Sequence, residues 1–284
     1  MARRTVLFSP GDRPELCRKA PATGADTVVF DLEDAVAPAR KAEARAAVAD
    51  LLADPEFDPA GVEVAVRIGA ADAATADLDA LTDRDLRRLD AVMMPKATVE
   101  SVRAVADALS AHDLSVPVIA LIETATGILD APEVAALGVV DALGFGAEDL
   151  SADLGATRTA EGTEVLYARE RVVVAARAAG VEPIDTVYTD LDDAEGLRSE
   201  TTFAATLGYD GKMVIHPDQV PIVAEAFAPD SEEVAWARRV LAAREAADDD
   251  RGVFEVDGEM IDAPLLARAE RILDRATETE TETE

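Results

Sequence analysis

Two carboxylates stand where a buried apolar run gives way to small residues, and they pose the first chemical question of this chain. Val118-Ile119-Ala120-Leu121-Ile122 is short, continuous and β-branched, the pattern of a buried strand, and it stops at Glu123-Thr124-Ala125-Thr126-Gly127. Ala142-Leu143-Gly144-Phe145-Gly146 stops in the same way at Ala147-Glu148-Asp149. Strands of a parallel sheet point one way, so Glu123 and Asp149 can emerge from neighbouring C-terminal ends, where such sheets place their chemistry. Two carboxylates facing one cavity repel each other, and a hard divalent cation relieves that repulsion. Mg2+, held by one or two carboxylates with water and substrate oxygens, fits best, and Mn2+ can replace it. The structural alternative is that each acid caps the helix following its strand.

Other chemistry-bearing residues sit at similar places. The run 62–68 ends in Arg67-Ile68-Gly69, and Arg67 faces the opposite way from Val66, so the arginine can point at a ligand. The run 26–30 ends in Asp31-Leu32-Glu33-Asp34, and three acids in four residues are dense for a structural turn. His216 is followed by Pro217 and reads as a histidine bonded to its loop, while His112 lies at a polar helix end. Gly144 and Gly146 lack the remaining features of a dinucleotide fingerprint. Cys17, the only cysteine, excludes an internal disulfide and any cysteine metal cluster, and its place in a helix makes it a weak nucleophile.

Elements must present these groups. Strands are expected at 5–8, 26–30, 62–68, 90–94, 118–122, 142–146, 183–187 and 212–215, with helices at 14–20, 41–52, 99–109 and 164–179 between them. Asp12 can cap the first helix with Pro14 in its first turn, and Gly180 can end the 164–179 helix in a left-handed conformation. Strand and helix alternate about eight times without a long interruption, the signature of an α/β chain closed into a (β/α)8 TIM barrel. Beyond this barrel domain, 1–230, lie a helix at 231–246, the charged break Asp248-Asp249-Asp250-Arg251-Gly252, a strand at 253–256, and Met260-Ile261-Asp262-Ala263-Pro264 opening a last helix. Residues 231–276 read as an arm or lid. The alternating Thr and Glu of 277–284 bury nothing and are expected to be disordered.

Bulk properties exclude several classes. Of the 284 residues 49% are hydrophobic and only 4% aromatic, so the core is built from Ala, Val, Leu and Ile. The formal charge of −31, from 58 acidic against 27 basic residues, repels nucleic acid and anionic lipid, and neither is an expected partner. Lys19, Lys41, Lys96 and Lys212 are the only lysines, and aspartates crowd the expected helix surfaces. This is the composition of a halophilic protein, in which molar salt screens self-repulsion over about 3 Å. The melting temperature is therefore expected to rise steeply with KCl, and a flat response would refute the reading. No apolar run of about 18 residues and no signal-peptide core occur, so a cytoplasmic location is expected.

Taken together, Leu7-Phe8-Ser9-Pro10-Gly11, Arg13-Pro14, Lys19-Ala20, Asp31-Leu32-Glu33-Asp34-Ala35-Val36, Val66-Arg67-Ile68, Pro95-Lys96, Glu123-Thr124-Ala125-Thr126-Gly127, Gly144-Phe145-Gly146-Ala147-Glu148-Asp149-Leu150 and Gly211-Lys212 with Ile215-His216-Pro217 form an ordered set. On these blocks the chain resembles the citrate lyase β-subunit-like group of the HpcH/HpaI aldolase superfamily, nearest the acyl-CoA lyases for malyl-CoA, β-methylmalyl-CoA and citramalyl-CoA. Ser9 stands where Val is commoner and Ile68-Gly69 where Asn often follows.

The resemblance implies a TIM barrel binding Mg2+ through Glu123 and Asp149, assembled as a trimer or a dimer of trimers. It implies that Arg67 meets the thioester carbonyl and the 2-oxo acid, that Glu33 and Asp34 hold Arg67 or metal-bound waters, and that Arg13, Lys19 and Lys96 are candidates for the CoA phosphates. Met260-Ile261-Asp262 is similar to a segment that reaches over a neighbouring subunit's site in free-standing lyases and that shorter citrate-lyase-type members often lack. Asp262 is then the catalytic acid or base, against the alternative that it caps the helix beginning at Ala263-Pro264. Backbone amides of Gly146, Ala147 and Glu148 suit the oxo-acid carboxylate, since Gly allows close approach. The implied reaction makes or breaks the carbon–carbon bond of a 3-hydroxyacyl-CoA, releasing acetyl- or propionyl-CoA and glyoxylate or pyruvate without an organic cofactor. Competing readings are a citryl carrier-protein lyase subunit, a malyl-CoA thioesterase and a catalytically silent acyl-CoA-binding barrel.

Overall fold

Short strands rich in Val, Ala, Ile and Met repeat along the chain, most of them too apolar to remain in water on either face. They are β1 (Thr5–Pro10), β2 (Thr27–Asp31), β3 (Glu63–Arg67), β4 (Ala91–Met94), β5 (Val118–Ile122), β6 (Val140–Phe145), β7 (Glu182–Asp185) and β8 (Gly211–Val214). The computed structural model describes residues 3–70, 72–82, 84, 86–246 and 253–281. Every neighbouring pair of these strands is parallel, and Thr5 of β1 lies opposite Lys212 of β8, which closes the barrel. The expected (β/α)8 architecture is therefore present.

The returning segments are α1 (Pro14–Lys19), α2 (Lys41–Ala53), α3 (Asp72–Thr82), α4 (Val99–Ala111), α5 (Ala125–Ala135), α6 (Ala147–Leu154), α7 (Leu166–Ala179), α8 (Ala194–Leu207) and α9 (Gln219–Phe227). Pro14 opens α1 as expected. Asp12 does not cap it, because its carboxylate is drawn to Arg40, 2.6 Å away. Gly180 ends α7 at φ 74°, the left-handed position that side chains resist.

Strand pleating divides the side chains into two rows. The inward row, with Val6, Val29, Ala65, Met93, Ile119, Leu121, Ile184 and Met213, fills the barrel. The outward row meets the helices and includes one buried charge cluster. Lys212, fully buried, gives its ammonium to Asp185 at 2.7 Å, and Arg169 of α7 grips the same carboxylate with two bonds of 2.8 Å. Such charges survive burial only when paired. At the N-terminal end, Arg3 binds Glu63, Asp141 and Glu182, gathering β3, β6 and β7 under one guanidinium.

The chain divides into two compact units, Ala2–Ala224 and Glu225–Glu284. The second holds α10 (Ser231–Ala246), β9 (Phe254–Val256), β10 (Glu259–Ile261) and α11 (Ala263–Thr281), around a core of Ala237, Val240, Val256, Ile261, Ala269 and Ile272. Residues 259–261, expected to lead straight into the last helix, form a strand. Asp257 and Gly258, at φ 52° and 86°, make the two-residue turn that joins β9 to β10. Helix α11 also runs into 277–281, where disorder was expected, since extending an established helix costs less than starting one. Residues 282–284 and the charged break at 248–252 lie outside the described residues. Among the described residues no helix is long and apolar enough to cross a membrane.

Candidate active site

Extending each inward row by two residues toward the C-terminal end of its strand leads from hydrocarbon to chemistry. Asp31 follows Val29, Arg67 follows Ala65, Glu123 follows Leu121 and Thr186 follows Ile184. At this end a cavity of about 150 Å3 is lined by Phe8, Asp34, Arg67, Glu123, Asp149 and Thr186, with Gly146, Ala147 and Glu148 on one side. Glu123 and Asp149, far apart in sequence, thus face one hollow.

Arg67 is held by Asp31, which stands opposite it in the register of β2 and β3. The guanidinium makes a fork, Nε to Oδ1 at 2.8 Å and Nη2 to Oδ2 at 2.6 Å, while Nη1 lies 3.4 Å from Glu33. Phe8 covers its face, 4.8 Å from the ring centre. Burial works against the charge, but the Asp31 bonds and the carboxylates of Asp31, Glu33 and Glu123 raise the arginine's pKa overall. Glu33 and Asp34 were expected to hold Arg67 or metal-bound waters. Asp31 supplies the fork, Glu33 is a looser neighbour, and Asp34 lines the cavity beside them. Asp31 also accepts the amides of Glu33 at 2.8 Å and Ala35 at 3.0 Å, so one carboxylate shapes the acidic loop as well.

Neither Glu123 nor Asp149 is a helix cap. Thr124 caps α5, accepting from Gly127 N at 3.0 Å, and Gly146 occupies the cap position of α6. Neither acid is spent on a helix terminus. Burial, with Asp149 and Glu33 nearby, pushes the Glu123 carboxyl up to about 7, although a bond from the Lys96 amide works the other way. The acids around this carboxylate thus outweigh the cations near it. Among the described residues no three His, Cys, Asp or Glu side chains surround one metal position. Two carboxylates with the other positions left to water and substrate oxygens remain the donor set of Mg2+, so the site fits that ion.

Gly146 is needed for packing: a Cβ there would stand 2.5 Å from Glu123 Oε2. Of the amides expected to meet a carboxylate, Gly146 N donates to Ile122 O at 3.1 Å and Ala147 N to Thr186 Oγ1 at 3.1 Å. Glu148 N, in the first turn of α6, is left by helix geometry without an intrahelical acceptor. The Glu148 side chain turns to Arg158, 2.9 Å away.

Lys96, a candidate for the CoA phosphates, lies instead among the carboxylates. Its ammonium is 2.9 Å from both Glu33 Oε1 and Asp149 Oδ2, and its amide donates to Glu123 Oε1 at 2.9 Å. The residue pattern of Pro95-Lys96 could not show this, because the lysine adopts φ 50° and so leaves the alternation of β4. Arg13 and Lys19 are exposed at opposite ends of α1. His216 accepts from Asp218 N at 3.2 Å, the loop bond expected of it, and His112 meets Asp79 at 3.0 Å. In the C-terminal unit, Asp262 Oδ1 accepts from Leu265 N at 3.2 Å, so the capping alternative is realised there. Asp31, Phe8 and Thr186 were missed, and their signal was the strand-end position shared with Arg67 and Glu123.

The mouse protein named citramalyl-CoA lyase, mitochondrial, is 38% identical over 97% of this chain and 86% of its own length. Citrate lyase subunit beta of Leuconostoc mesenteroides subsp. cremoris is 35% identical over 95% of this chain and 92% of its own. A crystal structure of CitE from Mycobacterium tuberculosis in complex with magnesium, acetoacetate and coenzyme A superposes with a TM-score of 0.82 at 40% identity, covering 97% of this chain and 98% of that one. The family pattern described as HpcH/HpaI aldolase/citrate lyase matches residues 4–217, and the chain belongs to that family.

Proposed function

We propose that the protein is a Mg2+-dependent acyl-CoA lyase that makes or breaks the carbon–carbon bond of a 3-hydroxyacyl-CoA such as citramalyl-CoA, malyl-CoA or β-methylmalyl-CoA. The observation that carries this reading is the Asp31-held Arg67 facing the same cavity as Glu123 and Asp149. Kinship with a citramalyl-CoA lyase and with a CitE that binds magnesium and coenzyme A supports it.

Cleavage between C2 and C3 must accommodate a hydroxyl proton, charge growing on the thioester oxygen and a proton arriving at C2. Glu123 and Asp149 would hold Mg2+, which would lower the pKa of the C3 hydroxyl so that its proton passes to solvent water, and would steady the departing 2-oxo acid. Arg67 receives the enolate charge. Its fork to Asp31 fixes the guanidinium plane before reaction, and a donor so preorganised contributes about 3–4 kcal/mol. The amide of Glu148 at the start of α6 receives the oxo-acid carboxylate. Arg13 and Lys19 meet the CoA phosphates from the exposed side of α1. Asp262, brought by the arm of a neighbouring copy in a homotrimer or hexamer, protonates C2, or removes its proton in the condensing direction.

Asp262→Asn is expected to lower turnover by about 10²-fold, the usual scale of acid–base catalysis. Asn still caps α11, so Mg2+ affinity and melting temperature should hold. Full cleavage activity in the variant would remove Asp262 from the chemistry. The reading as a whole is tested by supplying the three thioesters and a citryl carrier protein separately, with Mg2+ in high salt. Glyoxylate or pyruvate appearing with acetyl- or propionyl-CoA is expected. Free CoA without an oxo acid would mean hydrolysis, carrier-protein turnover alone a citrate lyase subunit, and binding without turnover a silent barrel.

A further inference from the structure

One residue touches three of the carboxylates at the barrel mouth. Lys96 donates its backbone amide to Glu123 at 2.9 Å and its ammonium to Glu33 and Asp149, each at 2.9 Å. Its backbone sits at φ 50°, a left-handed conformation that a side-chain-bearing residue adopts only when its surroundings hold it there. Glu33, Asp34, Glu123 and Asp149 crowd this end of the barrel, and Asp31 already occupies the fork of Arg67. Without Lys96 these acids would face one another with Arg67 as their principal cation.

Resting on the metal-site reading above, we infer that Lys96 is a built-in competitor of the divalent ion: its ammonium occupies the cation position at Asp149 and must yield when metal binds Glu123 and Asp149. A divalent ion bound by Asp149 lies within a few ångströms of any group 2.9 Å from that carboxylate, and two cations so close repel strongly. Lys96 has somewhere to go. Lys96 also borders a second cavity of about 610 Å3 between α3 and α4, lined by Ala74, Leu78, Thr98, Ser101 and Val105. The bond to Glu33 can persist through the change, because only Asp149 is shared with the metal. The arrangement keeps the acids apart from mutual repulsion in the metal-free protein and weakens metal binding by the cost of displacing the ammonium.

The test is Mg2+ titration by calorimetry in constant high KCl, with thermal melting in EDTA and in Mg2+, for wild type, Lys96→Met, Lys96→Arg and Glu123→Gln. Met matches the lysine stem in shape and branching, so the unusual φ is no more strained in the variant. Lys96→Met should bind Mg2+ about tenfold more tightly, melt below wild type in EDTA, and gain more than wild type from added Mg2+. Lys96→Arg, which keeps the charge, should stay within about twofold of wild type. Lys96→Gln replaces the Met variant where that fails to fold. Equal or weaker Mg2+ binding by the uncharged variants, with Glu123→Gln impaired, overturns the inference and leaves the metal site standing. Unchanged affinity in Glu123→Gln overturns the metal site itself, and this inference with it.

Discussion

Glu123→Gln is expected to abolish Mg2+-dependent turnover while leaving the barrel folded. The side chain is buried against Gly146 and accepts the Lys96 amide, and a Gln carbonyl can accept the same bond in the same volume. What disappears is the negative charge that burial and the neighbouring acids already disfavour, enough to lift the carboxyl to about 7. In the absence of metal the variant should therefore be at least as stable as wild type at pH 8, where wild-type Glu123 is largely ionised. In the presence of Mg2+ the variant loses one of two protein ligands and with it several kcal/mol of transition-state stabilisation, at least about 10³ in rate. Calorimetric titration separates the two effects. Wild-type Mg2+ affinity in the variant would exclude Glu123 from the metal's coordination and remove the basis of the proposed chemistry.

Arg67→Lys tests the other half of the site. Lysine keeps the charge, so Asp31 is not left buried without a partner, yet a single ammonium cannot reproduce the two parallel bonds of the guanidinium fork. The donor that should meet the enolate oxygen then has no fixed direction. Turnover is expected to fall about 10³-fold, the scale found when one preorganised oxyanion donor is removed. Mg2+ affinity should be unchanged, since Arg67 spends its two bonds on Asp31 and the variant keeps its charge. Initial rates at saturating thioester measure this directly, and a variant retaining wild-type kcat would show that charge alone, without the fork, suffices.

Local signals made much of this protein legible before folding. Continuous β-branched runs bounded by Gly, Pro and acids marked the strands, because a strand buried on both faces has no polar side to show. Position at a strand's C-terminal end singled out Arg67, Glu123 and Asp149, and the cavity unites them. The Asp257-Gly258 turn is equally local, a pair favoured where both residues need positive φ, and it pairs the expected strand at 253–256 with a second one at 259–261, where only the opening of a helix was expected.

Residue order alone determined the alternation of strand and helix, the acid-rich surface and which side chains end the inward rows, since each follows from periodicity within a few neighbours. Partners were decided only when the barrel closed. That Asp31 rather than Glu33 clamps Arg67 depends on the register of β2 against β3, and that Thr124 rather than Glu123 caps α5 depends on where the helix begins. Lys96 joining Glu33 to Asp149 depends on a single positive φ and on three strand ends meeting at one rim. The Arg67 and Lys96 contacts join residues tens of positions apart, and no spacing along the chain encodes the few ångströms that separate a clamp from a bystander.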